Sequence, residues 1–186
     1  EGHCLIRISD NGLEPNQLQV VMPTPYATAN FTDATTCLVP ANEWTHIAVT
    51  CDVATGHLVI YINGEPVLDK TGNQFVPVNL GQPKTDAQQK DHFFHIGYSY
   101  AAGRELHGEI CEVRIWNTVR TQEQIAANVY EVDPASEGLV AYWKFDEGSG
   151  ETIRDHTGNN NSGTAHETLK WNQVSLPEAP SGDGDN

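Results

Sequence analysis

The chain has 186 residues and carries 10 Lys+Arg against 25 Asp+Glu, a formal charge of −15 with histidine neutral, which argues against a nucleic-acid partner because phosphate binding needs a basic face. With 38% hydrophobic residues, 16 Gly and 10 Pro, the composition is that of one globular, turn-rich domain rather than a disordered chain. No apolar run approaches the roughly 18 residues of a membrane helix, and the opening Glu1-Gly2-His3-Cys4-Leu5-Ile6 lacks the basic and apolar regions of a leader, so the expectation is a processed protein or an excised piece.

In chain order, period-two alternation bounded by turn residues predicts strands over residues 4–9, 17–22, 43–52, 57–63, 93–99, 106–116 and 138–145. Asp52-Val53-Ala54-Thr55-Gly56 supplies the turn between the third and fourth strands, and Asn63-Gly64 marks a tight turn after the fourth. Residues 69–92 form a long polar loop with Phe75 and Val76 as its anchors. The one helix opens at Thr121-Gln122-Glu123-Gln124, a capping-box pattern, with Ile125, Ala126 and Val129 as its apolar stripe. The acidic end, residues 178–186, has no apolar anchor and is expected to be a flexible tail. Many short strands with one short helix predict an antiparallel sandwich.

Four cysteines stand at 4, 37, 51 and 111. Alternation places Cys4 with Ile6 and Ile8, Cys51 with Ile47 and Val49, and Cys111 with Val113 and Ile115, all on core faces. Either these are buried free thiols or at least one disulfide forms; no Cys-x-x-Cys spacing points to zinc. The eight histidines are scattered, with no metal-binding pair on one element.

The ordered series Trp44-Thr45-His46-Ile47-Ala48-Val49-Thr50, Tyr61-Ile62-Asn63-Gly64, His95-Ile96-Gly97 and Gly108-Glu109-Ile110-Cys111-Glu112-Val113-Arg114-Ile115-Trp116-Asn117 resembles a laminin-G-like domain. The resemblance implies an all-β, concanavalin A-like jelly-roll β-sandwich of antiparallel strands with one short helix, over residues 1–177. The block Tyr142-Trp143-Lys144-Phe145-Asp146-Glu147-Gly148-Ser149-Gly150 is similar to one that opens many relatives. Its place near the end implies that the first and last strands are neighbours, and that an upstream portion has been removed. Relatives with this block resemble glycan-capturing modules of bacterial surface or periplasmic proteins, often beside another β-sandwich domain. The resemblance therefore implies a non-catalytic, lectin-like module, extracellular, at the cell surface or periplasmic, with a glycan as partner. A protein-protein interaction or spacer module is the alternative, and a glycoside hydrolase the third.

Each candidate chemistry has a competing structural explanation. Retaining glycosidases need two carboxylates about 5–5.5 Å apart, which family 16 hydrolases of this fold place on one strand as Glu-x-Asp-x-x-Glu or Glu-x-Asp-x-Glu. Here that strand reads Glu109-Ile110-Cys111-Glu112, so the pattern is missing and alternation sends the two Glu to opposite faces. Tyr61, Glu112 and Arg114 fall on a polar face that either lines a sugar site or is a covered structural face, and Tyr98 and Tyr100, with Arg104, are further stacking and hydrogen-bonding candidates. Trp44, Trp116 and Trp143 are expected in packing roles, while Trp171 either closes the sandwich or is exposed. Asp155 with Asn159 or Asn160, joined by Asp146, is either a structural calcium site of the kind the resemblance implies or an ordinary Asx turn.

Overall fold

The computed structural model describes residues 4–9, 12–76, 94–97, 105–165 and 169–176. It is an antiparallel β-sandwich with one short helix. Strands β1 (Leu5–Ile8), β2 (Leu18–Pro23) and β3 (Thr28–Phe31) form one sheet in that order, and β4 (Ile47–Asp52), β5 (His57–Ile62) and β6 (Glu65–Lys70) form a second. Then β7 (Val113–Trp116) pairs with β8 (Leu139–Trp143), and β9 (Thr152–Ile153) pairs with β10 (Gly163–Thr164). Helix α1 (Gln122–Ala126) lies between β7 and β8 in the chain.

The main core forms because alternating residues from both sheets meet. Leu18, Val20, Met22 and Phe31 cluster with Leu58, Ile60 and Leu68, with Cys37 and Phe75 filling the ends. Burying each such side chain stabilises the fold by about 1.5–3 kcal/mol. The register sets Val49 opposite Ile60 and Cys51 opposite Leu58, so Ile47, Val49 and Cys51 face this core together, as alternation predicts. Phe75 packs edge-on to Phe31, centroids 5.7 Å apart, and the Val76 N–H donates to the Pro23 carbonyl at 3.0 Å. The two predicted anchors of the long loop therefore do tie its start down.

Strand β5 is buried on both faces, because α1 covers the far side: Ile125 packs on Val59 and Tyr61. A capping box opens the helix, Thr121 Oγ1 accepting the Gln124 N–H while the Gln124 side chain accepts the Thr121 N–H. Its seat is the Asn63-Gly64 turn, both residues at positive φ. There a Cβ on Gly64 would lie 2.9 Å from the Ala126 Cα, so only glycine allows this approach.

Several predicted elements change. The strand over 106–116 starts only at Val113, because Glu112 has φ +57 and breaks the extended run. No strand occupies the described part of 93–99, where Gly97 has φ +75, and 43–52 is extended only from Ile47. Strands β3, β9 and β10 escape prediction since they are only two to four residues long, and β6, though six long, is mostly exposed with little apolar alternation. Among the described residues β1 pairs with β2, β8 with β7 and β10 with β9. All four cysteines are free; Cys4 is exposed at the surface, with its Sγ 3.6 Å from Met22 Sδ.

Candidate functional site

Arg114 of β7 and Glu112 just before it are both largely buried. Arg114 and Glu112 pair at 2.6 Å with side chains only 7% and 17% exposed. Arg114 also donates to the carbonyls of Asn128 and, at 2.7 Å, Tyr130, which clamps the segment after α1 over the strand. The Tyr142 hydroxyl donates to Glu112 Oε2, the same oxygen that accepts from Arg114. Burial, then its hydrogen bond to Glu112, pushes the Tyr142 phenol up. His46 sits close by, its backbone N–H held by Asn63 Oδ1 at 2.9 Å. Burial, and then the charge of Arg114, lowers its pKa to about 4, so its ring is neutral at pH 7, with Nδ1 buried and without a hydrogen-bond partner.

Glu112 and Arg114 thus occupy the covered structural face, and Tyr61 is buried beneath Ile125. All three side chains are largely buried, so none presents an open face to a sugar among the described residues. Tyr98, Tyr100 and Arg104 lie outside the described residues. Trp143 is buried and Trp171 packs against the same cluster, its indole N–H donating to the Gly150 carbonyl at 3.3 Å, so Trp171 closes the sandwich.

The four calcium candidates separate into two groups. Asp155 is buried in an isolated bridge with Trp143, and its carboxylate accepts from the N–H groups of Tyr142, Thr157 and Asn161 and from the Thr157 hydroxyl. Burial raises its pKa, but these hydrogen bonds outweigh burial and hold it below the ordinary value. Asn159 spends its side-chain N–H on the Val140 carbonyl at 3.0 Å, and Asn160 takes a left-handed turn conformation. N–H and O–H donors engage both carboxylate oxygens of Asp155, the hydrogen-bonding pattern of an Asx-type turn, which accounts for this carboxylate without an ion. Asp146 lies elsewhere, beside Glu147 and His156.

Two exposed aromatic rings belong to no sequence candidate. Tyr26 is 94% exposed at the tip of the β2–β3 hairpin. Backbone and side-chain hydrogen bonds between Thr24 and Ala27, 2.9 to 3.1 Å long, close that tip. Phe94 is half-exposed and stacks on Trp143 at 5.7 Å. An aromatic following Pro25 inside a turn was the available signal for Tyr26. A shallow depression of about 480 Å³, lined by Asn128, Glu131, Asp133 and Lys144 among others, opens beside the clamped segment.

The Laminin_G_3 family model, described as the concanavalin A-like lectin/glucanases superfamily, matches residues 1–126. No curated protein matches the chain. Among solved structures the chain is similar to a "putative carbohydrate binding protein" from Bacteroides ovatus, at 32% identity and a TM-score of 0.71, over 95% of this chain and 49% of that one. It is also similar to an S-layer domain-containing protein from Clostridium thermocellum, at 20% identity and a TM-score of 0.35, over 60% of this chain and 50% of that one; so loose a likeness carries no argument. The chain spans about half the length of the solved structures it matches.

Proposed function

This chain belongs to the concanavalin A-like lectin/glucanases superfamily, and from that membership we propose that it is a non-catalytic carbohydrate-binding module of a secreted or surface-exposed bacterial protein. The observation that carries the proposal is the likeness, at 32% identity over 95% of this chain, to the "putative carbohydrate binding protein" of Bacteroides ovatus. The net charge of −15 would repel acidic polysaccharides, so the glycan is neutral. Tyr26 serves as a stacking platform, a wholly accessible ring on a hydrogen-bonded tip; Tyr98, Tyr100 and Arg104 are the further sugar contacts. The Glu112 carboxylate is taken up by Arg114 and Tyr142, and no second carboxylate stands on its strand in the glycosidase spacing, which supports the non-catalytic reading.

Affinity electrophoresis on neutral polysaccharides, with a glycan array alongside, tests this. Retardation on at least one neutral polymer is expected, without release of reducing sugar. Tyr26→Ala is expected to weaken it about tenfold, equivalent to roughly 1.4 kcal/mol, with the melting temperature unchanged. The absence of any glycan ligand would overturn the reading in favour of a protein-binding or spacer module.

A further inference from the structure

We propose that Asp146, Glu147 and His156 form a binding site for a borderline divalent cation such as Zn2+. One potential ligand atom from each of these residues lies within 4.8 Å of the others. Asp146 and Glu147 follow β8, and His156 leaves the Asp155 bridge, where its backbone N–H donates to the Tyr142 carbonyl at 2.8 Å. Pairing in the fold, not proximity in sequence, brings them together.

The second observation is two buried polar atoms that lack a hydrogen-bond partner. Glu147 is oriented by the Arg154 N–H, which donates to Oε1 at 2.7 Å, while Glu147 Oε2 is shielded from solvent and has no hydrogen-bond partner. His156 Nε2 is likewise shielded and makes no hydrogen bond. Leaving such atoms unmet costs about 1–3 kcal/mol each, and a cation satisfies both. Asp146 Oδ1 stands 3.4 Å from His156 Nε2, longer than the roughly 2.7–2.9 Å of a charge-assisted hydrogen bond. It is close to the separation of two ligands that each sit about 2.1 Å from a tetrahedral ion.

The donor set selects the ion. One imidazole nitrogen with two carboxylates suits zinc and its neighbours, whereas calcium and magnesium prefer oxygen alone. The His156 side chain is 17% exposed and that of Asp146 59%, so the cluster has a buried floor and an open mouth for entry. Three protein ligands leave a fourth position for water. This inference does not depend on the carbohydrate reading.

Chelator-stripped protein titrated with Co2+ should develop a saturable visible absorption at one equivalent, discharged by Zn2+. Zn2+ should raise the thermal midpoint, and millimolar Ca2+ should not displace it. His156→Gln and Glu147→Gln should each weaken Co2+ binding by more than about tenfold. Asp146→Asn, a change at an exposed side chain that leaves folding intact, should weaken it too. No binding by the wild-type chain, undiminished binding in Asp146→Asn and Glu147→Gln, or displacement by Ca2+ would each overturn the proposal.

Discussion

His46 holds a neutral imidazole in a place where protonation is opposed first by burial and then by Arg114. Its pKa is about 4 in the folded chain against 6.5 in the unfolded one. The unfolded state therefore binds more protons between these values, and the contribution is complete above pH 6.5 and lost as pH falls toward 4. Partial exposure reduces the effect to roughly 1–3 kcal/mol. Thermal melts at pH 7 and 4.5 should show a larger loss for the wild type than for His46→Gln. Arg114 stands at the centre of the same cluster. Removing it by Arg114→Ala leaves Glu112 buried without its counter-charge and frees the carbonyls of Asn128 and Tyr130, so urea denaturation should register a loss of about 3–5 kcal/mol. Glu112→Gln, which keeps a hydrogen-bonding group toward Tyr142, should cost less. The sequence placed both residues on one polar face, but whether solvent or protein covers a face is not a property of alternation.

Helix α1 is too short to stand alone, so its cap and its seat decide whether it forms. Thr121→Ala removes the side-chain half of the capping box and should cost about 1 kcal/mol in chemical denaturation. Gly64→Ala should cost more, because φ is +83 and the new Cβ would press on Ala126. If the helix packs as described, this second variant also loosens the cover over Tyr61, seen as increased quenching of tyrosine fluorescence. The capping box and the Asn63-Gly64 turn were legible because their chemistry is local. The early end of the β7 strand was not: the left-handed Glu112 is imposed by its buried pairing with Arg114 and Tyr142, a tertiary contact.

Across the whole molecule the charge of −15 repels itself. Raising NaCl from about 10 mM to about 150 mM shortens the Debye length from roughly 30 to roughly 8 Å, and the melting temperature should rise with it. All four cysteines are free, so reductant should leave that temperature unchanged, and four thiols should react once the chain is denatured. Among the described residues no helix is long and apolar enough to cross a membrane.

The antiparallel sandwich, the core-facing sides of β4 and β5, the capped helix and the family series were all written in the sequence, because periodicity, turn chemistry and local capping act between residues a few positions apart. The sites were not. The Arg114 clamp, the saturation of Asp155, the exposure of Tyr26 and the meeting of Asp146 and Glu147 with His156 each depend on what a distant segment covers, donates to or leaves unpaired. Burial and hydrogen-bond partnership are properties of packing, and only the folded chain decides which polar groups are spent on structure and which stay free for a ligand.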